Sequence, residues 1–275
     1  MVKVKLTCFA DEISAELSEQ LDVLGQEGLR HLELRSVWGK NVLNLNDGEL
    51  LLIRHTLMER GFRISSIASP IGKYPVNEDF APQLQALDAA VKAAHFFETP
   101  YIRIFSFHPP VHEPITDFRE EVLNRLSRLA EMAERNQVIL ILENDSNMYG
   151  STDEGTQDIF SNCRYPSLRA AFDPGNYVNS GVRPMTDAYP KIYDSIDYVH
   201  IKDASIEPSQ FVPAGVGAGE IAQLLAALKS RGFEGFLSVE PHLHHYLPNA
   251  SNPERVVTAI RALKSLLDQA GQEWE

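Results

Sequence analysis

The sequence has few cysteines, no long apolar run and no cluster of basic residues, and each absence excludes a class of protein. Its 275 residues include 2 cysteines, Cys8 and Cys163, which form no CxxC pair and cannot build a disulfide framework. No apolar run approaches the roughly 20 residues that cross a bilayer. Residues 1–10 also lack the apolar core of a signal peptide. We therefore expect a cytoplasmic protein that does not enter a membrane.

The charge balance argues against nucleic acid as a partner. Acidic residues outnumber basic ones by 38 to 25, which gives a net charge of −13. Nucleic-acid binding depends on Lys and Arg side chains that neutralise phosphates. The hydrophobic content of 44% is ordinary for a globular protein. A small-molecule partner is therefore expected.

Strand-like and helix-like runs alternate along the whole chain. Short runs rich in Val, Ile, Leu and Phe predict strands at 2–9, 31–34, 63–68, 101–105, 138–142, 168–172, 197–199 and 235–239. The spacing of apolar residues predicts helices near 13–24, 47–60, 80–96, 118–135, 155–162, 185–193, 220–230 and 253–270. Regular βα alternation predicts a parallel sheet. Eight units of this length fit an α/β fold of the (β/α)₈ TIM-barrel type, as a single domain over 1–275. A doubly wound open sheet is the alternative.

A polar residue stands directly after each of the last four predicted strands. These residues are Glu143, Asp173, His200 and Glu240. Such a residue is costly to bury unless it is paired, and a closed parallel barrel brings strand ends to one face. Two Glu, one Asp and one His form a mostly oxygen ligand set for one divalent metal ion. The alternative is that each residue is a helix cap or a local ion-pair partner.

The two glutamates of this set have a second predicted role. Carboxylates on opposite sides of a small substrate can act as a general base and a general acid. A metal ion between them would polarise a carbonyl group and stabilise an enediolate. Glu143 and Glu240 are therefore candidate catalytic residues as well as candidate ligands.

Other residues near strand ends are candidates for contacts with a substrate. Glu33 is expected to point into the barrel if Leu32 and Leu34 face the helices. Arg103 lies inside the fourth strand and needs a partner, which could be Glu33 or a substrate oxygen. The further candidates are Trp38, Ser106, Asn176, Lys202 and His242. The structural alternatives are a buried ion pair of Glu33 with Arg35 or Arg103, a loop anchor for Trp38 and a local pair with Asp203 for Lys202.

The glycine-rich stretch 215–219 precedes a predicted helix. A helix N-terminus can bind phosphate through its free N–H groups. The glycine spacing matches neither GxGxxG nor a Walker loop, so a tight turn is the favoured interpretation.

Five short motifs resemble those of the xylose-isomerase-like TIM-barrel superfamily, and the likeness extends over nearly the whole chain. They are Leu-Glu-Asn at 142–144, Phe-Asp-Pro-Gly-Asn at 172–176, His-Ile-Lys-Asp at 200–203, Gly-Val-Gly-Ala-Gly-Glu-Ile at 215–221 and Ser-Val-Glu at 238–240. The superfamily contains sugar-phosphate isomerases and epimerases, ketose epimerases, inosose dehydratase and AP endonuclease family two. The resemblance implies one bound divalent metal ion, most often Mn²⁺, with Mg²⁺, Co²⁺ or Zn²⁺ as alternatives. It implies Glu143, Asp173, His200 and Glu240 as the ligands, with both glutamates shuttling the proton.

The sequence departs from the family pattern at three places. Asn176 stands where many members have His, and it can bond a substrate hydroxyl but is a poor metal ligand. Ser69 and the lack of a His-x-Asp or Asp-x-His motif after the seventh strand leave a trinuclear zinc cluster without ligands. Ile206 replaces an Arg that some ketose epimerases carry, which argues against a simple ketohexose substrate.

These observations predict a divalent-metal-dependent isomerase or epimerase that acts on a sugar or sugar phosphate. The reaction would begin with abstraction of a proton next to a carbonyl group. A dehydratase or lyase acting on a keto-inositol or 3-keto-sugar shares this step and is the main alternative. A zinc phosphodiesterase acting on abasic DNA and a non-catalytic sugar-binding barrel are weaker alternatives. The expected partner is a small carbohydrate, and the resemblance also implies a homo-oligomer.

Overall fold

The computed structural model describes residues 3–275 and has a barrel of parallel strands at its centre. The strands are β1 (Lys5–Cys8), β2 (His31–Leu34), β3 (Arg63–Ala68), β4 (Tyr101–Ile104), β5 (Ile139–Glu143), β6 (Leu168–Phe172), β7 (Ile196–Ile201) and β8 (Phe236–Val239). Each strand from β2 to β7 pairs with the next one in sequence, and β8 also pairs with β1. A parallel bridge between Phe9 and Glu33 joins the β1 and β2 edges. The predicted single TIM barrel is confirmed, and the doubly wound alternative is wrong.

Helices surround this barrel on its outer side. They are α1 (Leu17–Gln26), α2 (Asp47–Arg60), α3 (Ala81–Phe96), α4 (Arg119–Arg135), α5 (Asp153–Asn162), α6 (Pro174–Asn179), α7 (Tyr189–Ile192), α8 (Ile221–Ser230) and α9 (Asn252–Ala270). Helix α2 begins with a capping box formed by Asn46 and Glu49 and is capped after Arg60 by Gly61, whose φ is 69°. A second capping box, Ser251 with Glu254, begins α9. Among residues 3–275, no helix has both the length and the hydropathy needed to cross a membrane.

Some element boundaries differ from the sequence predictions. Strand β7 continues to Ile201, so His200 lies inside the strand and not after it. The predicted helix 185–193 is a π-helical turn (Pro184–Ala188) followed by the short α7, because Pro184 and Pro190 each lack a backbone N–H. The first strand was predicted over 2–9; Val2 lies outside the described residues, and β1 covers Lys5–Cys8. A hairpin of Asp203–Ser205 with Gln210–Val212 was not predicted.

Aromatic side chains fill the N-terminal end of the barrel and leave the polar residues at the opposite end. The ring of Tyr198 lies 5.7 Å from that of Tyr101 and 5.6 Å from that of Phe236. His200 follows two residues later on the same strand, with its ring centroid 5.8 Å from that of Tyr198. Because alternate residues of a strand share a face, this stacking places His200 on the barrel axis above an apolar floor.

His31, at the N-terminal end of the barrel, is expected to make folding stability pH-dependent. Burial and the charges of Lys5 and Arg63 lower the pKa of His31 to about 4. The unfolded chain takes up this proton below a pKa of about 6.5, so stability should fall as the pH drops from about 7 to about 5. His31 is partly exposed, and we therefore expect the wild type to lose only about 1 kcal/mol more than His31→Gln. Urea unfolding at both pH values measures this difference, and equal losses in the two proteins would contradict it.

Candidate active site

The four predicted ligands meet at the C-terminal mouth of the barrel. All four side chains are buried. If one ligand atom is taken from each residue, these four atoms lie within 4.8 Å of one another. His200 Nδ1 lies 3.4 Å from Glu143 Oε2 and 3.9 Å from Asp173 Oδ2. Glu240 is the residue directly after β8, and its side chain joins this group. The parallel barrel therefore gathers side chains that are far apart in sequence.

Several polar atoms in this cluster have no hydrogen-bond partner within the described part of the chain. They are Asp173 Oδ2 and both ring nitrogens of His200. Charged groups nevertheless lie near them: Lys202 Nζ is 2.9 Å from Asp173 Oδ2, and carboxylates lie 3.4 Å from each ring nitrogen of His200. A divalent ion would use Asp173 Oδ2 and His200 Nδ1, and three carboxylates with one imidazole suit Mn²⁺, Mg²⁺, Co²⁺ or Zn²⁺. The residues present therefore fit the metal that the family resemblance implies.

The ammonium group of Lys202 lies among the carboxylates of the cluster. It is 2.9 Å from Asp173 Oδ2 and 3.9 Å from Glu143 Oε1, and it also pairs with Glu240 Oε2. Within residues 3–275, Lys202 forms no ion pair with Asp203, so the alternative of a local pair is wrong. The positive charge of Lys202 offsets part of the negative charge of these buried carboxylates. Its side chain also lines the pocket described below.

The charges of the cluster act strongly on one another. Burial would raise the pKa of Glu143, but the charges of His200 and Arg103 lower it to about 2. Burial would lower the pKa of His200, but Glu143 and Glu33 raise it to about 10. Burial raises the pKa of Asp173 to about 7; the Glu143 charge adds to this effect and Lys202 opposes it. Glu143 is thus held as a carboxylate, and a metal ion bound at His200 would replace the proton that these carboxylates otherwise hold on the imidazole.

Glu33 lies behind His200 and does not line the pocket. Its Oε2 atom is 3.4 Å from His200 Nε2 and accepts a hydrogen bond of 3.0 Å from the Tyr198 hydroxyl. The side chain points into the barrel as predicted, but it faces the imidazole nitrogen opposite the ligand cluster. A carboxylate at this position orients a ligand imidazole and raises its basicity.

Glu143 is held by two neighbours whose side chains line the pocket. Arg103 Nη1 donates to Glu143 Oε2 at 3.1 Å, and Asn176 Nδ2 donates to Glu143 Oε1 at 3.1 Å. Arg103 therefore pairs with Glu143 and not with Glu33. The guanidinium also lies against the rings of Phe9 and Phe105, at 5.1 and 4.7 Å from their centroids. These contacts fix the direction of the glutamate carboxylate.

A pocket of about 380 Å³ opens above the cluster. The predicted residues that line it are Arg103, Glu143, Asn176, Lys202, Glu240 and His242. Two other candidates lie away from its wall: Trp38 packs against the hydrophobic core, and Ser106 Oγ accepts a hydrogen bond of 2.8 Å from Gly150 N–H. Both therefore have the geometry of loop anchors.

Sequence reasoning missed three charged residues of the pocket wall. Arg35, Lys73 and Asp145 line the cavity, and Lys73 Nζ lies 2.7 Å from Asp145 Oδ2. Asp145 stands two residues after Glu143, a spacing that could have revealed it. The sequence indicates Arg35 only as an ion-pair partner of Glu33, and no motif singles out Lys73.

The glycine-rich loop 215–219 is organised by the buried carboxylate of Asp203. Oδ2 accepts hydrogen bonds from the N–H groups of Gly215 and Gly217, at 2.8 and 3.0 Å, and Oδ1 accepts one from Gly219 at 2.8 Å. Since these N–H groups are occupied, the tight-turn interpretation fits and a phosphate site at this loop does not. The loop fastens the hairpin that carries Phe211, a residue of the pocket wall.

Gly217→Ala is expected to destabilise this loop. A Cβ atom at Gly217 would lie 2.4 Å from both Asp203 Oδ1 and the Ala204 carbonyl oxygen. We expect a loss of about 2 kcal/mol or more in the free energy of unfolding, because backbone and a buried carboxylate must both move. Gly25→Ala in α1 is the matched control: the nearest atoms lie at an ordinary 3.5 Å, and its stability should stay equal or rise by up to about 1 kcal/mol. Urea unfolding compares the two, and equal stabilities would contradict the prediction.

Comparisons with known proteins agree with this architecture. A family model described as xylose isomerase-like TIM barrel matches residues 21–266. A curated 3-dehydroshikimate dehydratase of Bacillus anthracis is 22% identical over 183 residues, which are 66% of this chain and 64% of that protein. The match thus spans less than two thirds of the relative's length.

Solved structures share the fold over almost the full chain. A D-tagatose 3-epimerase-like protein has a TM-score of 0.78 at 17% identity, covering 98% of both chains. The IOLI protein, solved with a bound zinc atom, has a TM-score of 0.76 at 18% identity, covering 97% of this chain and 99% of that one. With the family model matching most of its length, the chain belongs to the xylose isomerase-like TIM-barrel family.

Proposed function

We propose that the protein is a divalent-metal-dependent isomerase or epimerase of a sugar or sugar phosphate. The observation that carries this proposal is the pair of buried carboxylates, Glu143 and Glu240, that share one cluster with Asp173 and His200 beneath a small pocket. Proton abstraction next to a carbonyl group needs a base, an acid and compensation of the developing negative charge. The pocket offers all three on a rigid barrel.

A divalent ion held by Glu143, Asp173, His200 and Glu240 would supply the compensating charge and hold the substrate oxygens. Mn²⁺ is the proposed ion, since oxygen ligands predominate. The role of Glu33 is then to keep the His200 imidazole in place through Nε2.

The protein's own side chains would move and place the proton. One of the two glutamates takes the proton from the substrate carbon, and either can return it. Return to the neighbouring carbon isomerises the substrate, and return to the opposite face of the same carbon epimerises it. Arg103 and Asn176 fix the Glu143 carboxylate, while Asn176 and Lys202 also line the pocket, where they can bind substrate oxygens.

A dehydratase or lyase is the second candidate function. A curated relative of this chain is named 3-dehydroshikimate dehydratase, and loss of a β-hydroxyl can follow the same proton abstraction. Asn176 stands where many members of the family have His, and Ile206 stands where some ketose epimerases have Arg. Both departures favour a substrate other than a simple ketohexose.

The test is solvent deuterium exchange followed by NMR, using Mn²⁺-loaded protein. The panel contains ketopentoses, ketohexoses and their phosphates, a keto-inositol, a 3-keto-sugar and 3-dehydroshikimate. Deuterium at the carbon next to the carbonyl together with an isomer or epimer supports the first function. Loss of water supports the second. Absence of exchange in every compound would overturn both.

A further inference from the structure

A network of charged residues lies directly beside the ligand cluster and is centred on Arg35. The Arg35 guanidinium contacts three carboxylates: Nε is 2.7 Å from Asp11 Oδ2, Nη2 is 3.3 Å from Glu12 Oε1 and Nη1 is 3.3 Å from Glu240 Oε1. It also lies over the ring of Phe9, 4.8 Å from its centroid. The side chain is 26% exposed. These contacts fix the position of a permanent positive charge.

Glu240 belongs to two groups of charges at once. Its Oε2 atom pairs with Lys202 on the side of Asp173. Its Oε1 atom faces the other way, 3.3 Å from Arg35 Nη1 and 3.3 Å from His242 Nε2. One oxygen of Glu240 therefore contacts Lys202, and the other contacts Arg35 and His242.

The second group has the composition of a metal site. Glu12, Glu240 and His242 offer ligand atoms that lie within 4.8 Å of one another, and His242 Nε2 is 3.0 Å from Glu12 Oε1. A carboxylate shared by two such groups could lie between two metal ions, which in two-metal sites are about 3.5–4 Å apart. Here, however, the Arg35 guanidinium touches the oxygens of both Glu12 and Glu240.

We propose that Arg35 takes the place of a second metal ion and thereby keeps the active site mononuclear. Its fixed charge repels a cation from the Glu12–Glu240–His242 group at a distance of a few ångströms. It also occupies Glu240 Oε1, so that Oε2, which pairs with Lys202, is the oxygen directed to the ligand cluster; a metal ion bound there would replace the Lys202 contact. Arg35 is thus a positioning residue for Glu240. This inference rests on the metal site of the proposed function.

The proposal predicts a change in metal stoichiometry when the charge is removed. After equilibrium dialysis against Mn²⁺, elemental analysis should find about one ion per chain in the wild type and about two in Arg35→Ala. Arg35→Gln, which keeps a polar side chain, should also bind two Mn²⁺ ions per chain. It replaces Arg35→Ala in the test if that variant does not fold. Arg35→Lys keeps a positive charge and should bind one. Electron paramagnetic resonance should show coupled Mn²⁺ ions only in the variants that bind two.

The double variant Arg35→Ala/Glu12→Gln is the matched control. It removes a ligand of the second group and should return the count to about one ion per chain. A folded Arg35→Ala or Arg35→Gln protein that binds only one ion would overturn the role of Arg35 while leaving the proposed function intact. A wild type that already binds two ions would also overturn it. A wild type that binds none would overturn the metal site itself, and the inference with it.

Discussion

Glu143→Gln should lower the rate of solvent exchange at the substrate carbon by about 10²–10⁴-fold, the range expected for loss of a general acid or base. The amide has nearly the shape of the carboxylate and its oxygen can still accept the hydrogen bond from Arg103 or from Asn176, but it cannot take a proton. The measurement is deuterium incorporation under saturating Mn²⁺, with the substrate identified in the exchange screen. Circular dichroism and the melting temperature should show an intact fold.

The matched control for this variant is Glu98→Gln. Glu98 is 79% exposed and pairs with Arg54 at the protein surface. The Glu98→Gln protein should therefore exchange the substrate proton as fast as the wild type does. Unchanged exchange in Glu143→Gln would remove this residue from the proposed acid–base pair. A loss of equal size in Glu98→Gln would show that the effect is not specific to the site.

The second large effect concerns stabilisation by the metal ion. An ion present at about 100 times its dissociation constant stabilises the folded state by about 2.7 kcal/mol. For a protein of this size we expect the melting temperature of the wild type to rise by about 5–10 °C with Mn²⁺. Asp173→Ala should show almost no rise, because it removes a ligand from the centre of the cluster. Differential scanning calorimetry with and without Mn²⁺ measures both.

Asp22→Ala provides the control for non-specific binding of the cation. Asp22 is 59% exposed and pairs with Arg60 away from the barrel mouth. Mn²⁺ should therefore raise the melting temperature of Asp22→Ala as much as that of the wild type. The same rise in Asp173→Ala would mean that Mn²⁺ stabilises the protein elsewhere than at the proposed ligands.

The fold was predictable from the sequence because its signals are local and repeated. Apolar runs such as 138–142 and 168–172 mark buried parallel strands, and the spacing of apolar residues in stretches such as 220–230 marks helices. Once eight βα units are recognised, barrel geometry brings the residues that end the strands to one face. The convergence of Glu143 and Glu240 follows from that rule alone.

The contacts of the individual side chains were not predictable in the same way. Arg103 pairs with Glu143 and not with Glu33, because the choice depends on distances between three different strands. Glu33 was correctly expected to point inward, but the sequence does not reveal that His200 lies between it and the pocket. The network around Arg35 joins residues separated by up to 230 positions in the chain, and no short motif records such a contact.

The most direct test of the metal centre is elemental analysis of the protein purified without chelators, before and after dialysis against excess Mn²⁺. We predict one divalent ion per chain, lost in the double variant Asp173→Ala/His200→Ala while the fold is retained. Three zinc ions per chain would favour the phosphodiesterase alternative. No bound metal under any loading condition would contradict the centre built from Glu143, Asp173, His200 and Glu240, and with it the proposed chemistry.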